Sequence, residues 1–439
     1  MSGTSAVSSP PPPPPPVRED APGRAPASPA AYSLPLHTLR ILGSCALSLL
    51  LWFSAGRAVR AALMWAGTEL AHGDHRQVRL VVTTLVFTLI VLTELVVCVG
   101  MLHAARGALR EIRARRAEGE ADETLSGALN RAALLFAAIY VAWGFHREDA
   151  REFVSLDAMK RIDQDLQGAL AGAEGEAGTI LVGLDVRVSA AVAVAAYLLR
   201  TLFGWWHANG RVRGSGLLTA FFELGFALYG ANALFAFAAE RSDWLEDRAA
   251  VAALKGLLAD LAEALPWWKE FWEAVAQVWP LLMEALVEPL TWLAVAALVY
   301  GAFVGDTRAV VRGTGLEAAA GRVERTHPLT RSALTGATAG VRDRWVPPVH
   351  AFRLVTRGGA ALLGLFCLCH VALRVGADYA DRGVRALVGS DFPFFWALFG
   401  GPVDFVRELV VGVLTVCLLA AAFDIAATRS RASGRALTG

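Results

Sequence analysis

The stretch from Leu80 to His103 constrains the fold more than any other part of the chain. It is a long apolar segment that contains one acidic residue, Glu94. A helix of this length can cross a hydrocarbon layer of about 30 Å. The arginines that follow it are of the kind that usually stay in the cytoplasm: Arg106, Arg110, Arg113, Arg115 and Arg116. The stretch therefore predicts a transmembrane helix whose C-terminal end is cytoplasmic.

Composition extends this interpretation to most of the 439 residues. Of these, 55% are hydrophobic and 18% are charged, whereas about 25% are charged in a soluble domain. The apolar residues form long blocks separated by arginine-rich or acidic segments, which favours a polytopic membrane protein. We expect an all-α integral membrane helical bundle in the cell (plasma) membrane, with about eight transmembrane helices and both termini in the cytoplasm.

The spans are predicted from the apolar blocks and from the charged segments that bound them. They cover residues 37–55, 80–103, 129–145, 179–203, 217–238, 281–304, 358–376 and 403–426. The first helix is expected to continue past Trp65, with the stems of Arg57 and Arg60 snorkelling at the outer interface. The segment Phe392–Pro402 is too short to cross, so it predicts a re-entrant or interfacial turn.

Four regions outside these spans complete the predicted organisation. Residues 1–36 form a disordered, proline-rich cytoplasmic tail, and residues 305–357 an arginine-rich cytoplasmic loop. Residues 37–304 form the first transmembrane region, with about six spans, and within it residues 244–279 are expected to form an extracytoplasmic amphipathic helical hairpin. Residues 358–427 form the second transmembrane region, with about two spans, and residues 428–439 a cytoplasmic tail. Glu284, Glu288 and Pro289 predict a kink or break in the sixth span.

The sequence contains no motif that names a reaction. No phosphate-binding loop, nucleophile elbow or zinc-protease helix is present, so we expect no enzyme, no catalytic residue and no cofactor. The five cysteines all fall in apolar spans and are expected to be reduced. Cys367 and His370 share a helix face, which we interpret as a buried thiol and a hydrogen-bonded histidine rather than a metal site.

Ionisable residues inside the spans are the functional candidates, because their burial in hydrocarbon is costly. Glu94 and Glu223 fall in the inner halves of their spans, and the others fall toward the outer halves: Asp185, Arg187, His370, Arg374, Arg407 and Glu408. One interpretation is a path for protons or cations, with at least one of Glu94 and Glu223 in an inward-open cavity. The other is a set of structural ion pairs between helices.

These observations favour a transport or permeation protein for a small ion or solute. The first alternative is a non-catalytic scaffold or signalling subunit that binds a protein partner through the proline-rich tail or the outer tryptophan-rich helices. A membrane-embedded enzyme is the least favoured alternative, because the nine histidines are scattered. The bilayer is the expected partner of the apolar blocks. Nucleic acid is not expected, because the arginines are dispersed between spans.

The arginine pattern makes a prediction about orientation. Single cysteines introduced at Ser332 and Ser242 should differ in intact cells, because the first is expected to be cytoplasmic and the second outside. A membrane-impermeant thiol reagent should label only position 242, and both positions after the cells are broken. Labelling of position 332 from outside would overturn the orientation.

Overall fold

The computed structural model of the protein describes residues 30–71, 76–119, 124–170, 186–209, 214–246, 266–300, 359–389 and 393–432. Within these ranges the chain is helical, with short turns and no strand. The predicted tail over residues 1–29, the first limb of the outer hairpin after Glu246, the loop at 305–357 and the end beyond Ala432 lie outside the described residues.

Eleven α-helices are numbered here in chain order over the described ranges. They are α1 Leu34–Leu70, α2 Arg76–Ala105, α3 Arg110–Ala117, α4 Leu125–Ala142, α5 Phe145–Leu170, α6 Val186–Ala208, α7 Ser215–Glu246, α8 Pro266–Leu282, α9 Glu288–Val299, α10 Ala360–Val388 and α11 Pro393–Ala432. Eight segments are long and apolar enough to cross a membrane: α1, α2, α4, α6, α7, α8 with α9, α10 and α11. The predicted helical bundle is therefore confirmed.

Several helices are longer or shorter than their predicted spans, and two of these differences show why. The segment Phe392–Pro402 is not a separate turn, because α11 runs without interruption from Pro393 to Ala432 and contains Pro402. Proline and glycine that would end a helix in water are tolerated within transmembrane helices. The third span ends at Ala142 rather than at Phe145, because Gly144 adopts a φ of 77° that a helix cannot continue through.

Helix α2, the stretch on which the sequence argument began, is central to the bundle. It packs against α1, α4, α7, α9 and α11. Ile90, Val91, Leu95 and Leu102 on this helix are fully buried. Most of its surface is thus covered by other helices rather than by lipid, as expected for a helix with apolar residues on all sides.

Helices α6 and α7 form a pair at the side of the bundle. Phe203 stacks on Phe222 with ring centroids 5.4 Å apart. The amide of Asn232 donates a hydrogen bond of 2.8 Å to the hydroxyl of Ser189. Helix α7 also packs on α2 and α4, so it connects α6 to the centre.

The bundle has two distinct ends. Leu34 at the start of α1 and Ala432 at the end of α11 lie at the same end, because α1 and α11 pack antiparallel. His37 contacts Asp424 near that end, whereas Phe53 packs on Phe405 farther along both helices. We call the end with Leu34 and Ala432 the near end, and the opposite one the far end.

The predicted break in the sixth span is a π-helical segment. Residues Met283–Val287 form this wider turn between α8 and α9, and Pro289 lies in the first turn of α9. Proline suits that position because it needs no backbone N–H there. The interruption is confirmed, although the chain stays helical through it.

Helices α1 and α2 approach closely at two glycines. A Cβ atom at Gly56 would lie 2.2 Å from Cγ2 of Val97, and one at Gly100 would lie 2.8 Å from the ring of Trp52. Glycine is thus required at these contacts because it allows the two backbones to approach, as in other transmembrane helix pairs.

The contact at Gly56 predicts a specific sensitivity to substitution. Gly56→Ala should lower the free energy of unfolding by about 1–3 kcal/mol, because the added methyl group collides with the stiff side chain of Val97. Gly43→Ala on the same helix is the control, since a Cβ atom there meets nothing within 4 Å. Thermal unfolding in detergent should separate the two variants. Equal stability would contradict this packing.

Candidate functional site

A cavity of about 780 Å³ lies at the far end of the bundle. Its walls come from α1, α2, α5, α10 and α11, from the junction of α4 with α5, and from the π-helical region between α8 and α9. Its charged lining residues are Arg57, Glu94, Glu148, Glu284, Glu288, Arg374, Asp378, Arg407 and Glu408. Acidic residues therefore outnumber arginines by six to three around this cavity.

Three ion pairs join different helices around the cavity. Arg374 on α10 contacts Glu288 on α9 at 2.6 Å. Arg407 on α11 contacts Asp378 on α10 at 2.5 Å, and these side chains are 39% and 55% exposed, so the cavity opens to the surface beside them. Both of these arginines are thus matched with acidic partners.

The third of these pairs connects Arg57 on α1 to Glu408 on α11 at 3.0 Å. Two further acidic residues of the lining, Glu148 and Glu284, make no ion pair among the described residues. With Glu94 they account for the acidic excess. An excess of one sign of charge in a recessed site concentrates ions of the opposite sign.

Arg60 forms a cluster of charges beside the cavity. Only 7% of the residue is exposed, and its Nη2 donates to Asp149 at 2.7 Å and also to Glu152. The hydroxyl of Tyr140 donates a further hydrogen bond to Asp149. The predicted snorkelling of Arg60 was therefore wrong, because α5 brings two carboxylates to the guanidinium inside the bundle.

Glu94 lies between Arg60 and the cavity. Its Oε1 is 3.7 Å from Nη1 of Arg60, and its side chain is 39% exposed and lines the cavity. The cavity reaches Glu94 from the far end, away from the chain ends that the arginine pattern places in the cytoplasm. Which side of the membrane this end faces depends on the orientation, so the inward-open cavity at Glu94 stays a prediction.

Glu223 occupies a different environment. Only 4% of the residue is exposed, and its carboxylate accepts from Arg200 on the neighbouring α6. It does not line the cavity. This pair holds α6 against α7 and fits the structural interpretation of intramembrane charges.

The other predicted candidates are distributed as follows. Arg374, Arg407 and Glu408 line the cavity. Arg187 is exposed in the first turn of α6, and Asp185 lies outside the described residues. The structure therefore brings together the candidates on α2, α10 and α11 and leaves those on α6 and α7 apart.

His370 does not have the predicted hydrogen bond. The residue is 3% exposed, and neither ring nitrogen has a partner among the described residues. Its neighbour on the same face is the ring of Phe366, which offers no acceptor in its plane. His370 lies one turn before Arg374 on α10 and is not part of the cavity lining.

A second polar cluster connects three elements at the near end. Nε2 of His37 lies 2.9 Å from Oδ2 of Asp424, and the backbone N–H of Glu111 donates to the other oxygen of Asp424 at 2.8 Å. Arg115 and Arg431 both donate to the carboxylate of Glu111. The hydrogen bonds to Glu111 raise the pKa of Arg431, which keeps its charge. This cluster fixes α1, α3 and α11 to one another.

The described residues contain no group of three or more His, Cys, Asp or Glu side chains arranged to hold a metal ion. The five cysteines are free thiols. Carboxylates and guanidinium groups therefore provide the chemistry of the far-end cavity, which suits binding of ions or polar solutes by charge.

Comparison of the chain with protein-family models, with curated proteins and with solved structures finds no match. The class of the protein therefore follows from its own fold. The eight apolar helices make it an integral membrane protein that crosses the bilayer several times.

Sequence reasoning missed the residues that hold the cavity wall. Asp149 and Glu152 lie in a segment that looked like a polar loop and forms α5. The signal for them was Arg60, because the first helix was expected to continue past it and a basic residue that is buried in a helix bundle requires an acidic partner from another element. Asp424 was missed in the same way, although it is an acidic residue within an apolar block.

The Arg60 cluster predicts a large difference between two neighbouring arginines. Arg60→Gln should lower stability by about 3–5 kcal/mol, because two carboxylates lose their shared buried partner. Arg57→Gln should cost about 0–1 kcal/mol, because the side chains of its pair with Glu408 are partly exposed. Denaturation of the two purified variants in detergent measures the difference, and similar losses would argue against a buried cluster.

Proposed function

We propose that this integral membrane protein transports a small cation through the far-end cavity. The observation that carries the proposal is the cavity itself, because it is polar, opens at the surface and reaches Glu94 within the central helix. Intramembrane carboxylates beside such a cavity commonly mark the pathway of an ion. A scaffold that only binds partner proteins does not require a polar cavity that opens at the surface.

The charge of the lining supports a cation rather than an anion. The three arginines of the wall are paired, whereas Glu148 and Glu284 have no such partner among the described residues. A cation that enters therefore meets carboxylates that are free to contact it, and an anion meets repulsion.

The packing between Glu94 and the near end supports a carrier rather than an open pore. The lining of the cavity ends at Glu94 and Gly412. Beyond these residues α2 and α11 present buried apolar side chains, among them Val99, Leu102 and Val416. An ion bound at the cavity would therefore be released on the other side only after the helices rearrange, as in alternating access.

The orientation of the cavity follows from the arginine pattern. If the near end is cytoplasmic, the cavity opens to the outside of the plasma membrane, and the protein would take up its cation from there. We propose this orientation together with the absence of enzymatic activity, since the sequence contains no motif that names a reaction.

A second candidate function rests on α8. Four large aromatic side chains on this helix are about half exposed: Trp267, Phe271, Trp272 and Trp279. Such a face can anchor the helix at the membrane interface or bind a protein partner. In that case the protein would act as a scaffold or signalling subunit, and it would catalyse no ion movement by itself.

The decisive measurement is ion movement in vesicles reconstituted with the pure protein. Uptake of H⁺, Na⁺ or K⁺ down an imposed gradient should exceed that of empty vesicles. Val411→Trp should reduce the uptake to the level of empty vesicles, because Val411 lines the cavity and the larger side chain would fill it.

The matched control is the preceding residue of the same helix. Val410 is 47% exposed and is not part of the lining, so Val410→Trp should leave the uptake unchanged. Equal loss in both variants would indicate a general effect on α11. Wild-type vesicles that move none of the three cations would refute the proposed transport and favour the scaffold.

A further inference from the structure

The Arg60 cluster contains more negative than positive charge. Three carboxylates, those of Glu94, Asp149 and Glu152, lie within 4 Å of one guanidinium. If all three were ionised, the cluster would carry two uncompensated negative charges next to the centre of the bundle. Carboxylates that share one site repel one another, and such crowding favours uptake of a proton by one of them.

The neighbouring charged and polar groups do not neutralise the excess negative charge of these carboxylates. Arg57 and Glu408 lie beside Glu94 from α1 and α11, but they pair with each other. Tyr140 from α4 is a neutral donor to Asp149, and Cys98 on α2 is a neutral thiol close to Glu94.

The remaining helices around α2 add no free positive charge near Glu94 among the described residues. Glu288 on α9 lines the same cavity and is matched by Arg374. Glu223 on α7 is matched by Arg200 and is not part of the cavity lining. The surplus therefore stays with the three carboxylates around Arg60.

Distances distinguish Glu94 from the other two carboxylates. Asp149 is 2.7 Å from Arg60 and also accepts from Tyr140, and Glu152 accepts from the same guanidinium nitrogen. Glu94 is 3.7 Å away, beyond hydrogen-bonding distance, and it alone of the three lines the cavity. It is thus the least stabilised as an anion, and it is the one of the three that a proton in the cavity can reach directly.

We propose that Glu94 is a reversible proton-binding site that is loaded from the far-end cavity. A proton from the aqueous phase adds to the Glu94 carboxylate to give the neutral acid, and the same O–H bond breaks when the proton leaves. No other bond changes. That the bound proton is the transported or co-transported ion rests on the proposed function, whereas proton binding itself does not.

The protonation state of Glu94 also decides which partner holds Arg60. Nε of Arg60 is buried and has no hydrogen-bond partner among the described residues, so the guanidinium has an unused donor. When Glu94 is neutral, Arg60 holds Asp149 and Glu152 and fixes α5 to α1. When Glu94 is ionised, it competes for Arg60 and weakens that connection. Loading and release of one proton would therefore change the wall of the cavity.

Infrared difference spectroscopy on the full-length protein in lipid nanodiscs tests proton binding without a transport assay. The spectra are compared as the pH is raised stepwise from about 6, above which ordinary carboxyl groups stay ionised. A carboxylic acid C=O band that shifts in heavy water should appear at the lower pH values. Glu94→Gln should remove this band.

Two variants make the result specific. Glu284→Gln, which changes a cavity carboxylate with no ion pair to Arg60, should retain the band. Glu94→Asp, which keeps a carboxyl group, should restore a band at a changed frequency. A wild-type spectrum without the band, or a band that survives in Glu94→Gln, would overturn the proposal.

The outcomes of the two experiments can be separated. A Glu94-dependent band together with no ion uptake in vesicles would establish the proton site and refute transport. Cation uptake without the band would support transport and refute Glu94 as the site of the proton. If both proposals hold, the vesicles take up the cation, and Glu94→Gln abolishes both this uptake and the infrared band.

Discussion

The arrangement of the far end depends on the pairing of Arg60. A guanidinium stays charged at any physiological pH, so inside a bundle it requires anions that other elements supply. Asp149 and Glu152 come from α5 and Glu94 comes from α2, and α5 is thereby held across the far end of α1 and α2. The ring of Phe153, which is buried against Phe87, reinforces the same contact. One charge thus positions three helices and leaves a polar recess beside them.

The two ends of the bundle use charge in different ways. At the near end, Asp424 and Glu111 are each 1% exposed and their oxygens are taken up by His37, by backbone and by arginines. Fully matched groups of this kind rigidify a structure. At the far end the pairs are partly exposed and the carboxylates exceed the arginines. The near end is therefore held together by matched groups, whereas the far end keeps carboxylates that have no ion-pair partner among the described residues.

The sequence predicted where the helices lie along the chain, but not which residues of different helices come into contact. Length and hydropathy were sufficient to predict the spans, because hydrocarbon allows few alternatives to a helix. Glu94 stood out as an acidic residue in an apolar block, and the structure places it beside Arg60 and in the cavity lining. Its partner was not predictable, because Arg60 and Glu94 are brought together by close packing at Gly56, and no local pattern encodes a contact between helices. The same reason explains why Glu223, equally conspicuous in the sequence, belongs to a separate pair.

The π-helical segment Met283–Val287 has a consequence for how α8 is oriented. A π-turn contains one more residue than the α-helix on either side requires, and each residue of an α-helix advances by about 100° around the axis. The five residues of this segment therefore set the angle between the aromatic face of α8 and the cavity wall that α9 supplies. Loss of a single residue there would rotate every side chain of α8 by more than a quarter of a turn. The direction in which these four aromatic rings point is thus determined by one inserted residue, not by the residues of α8 alone.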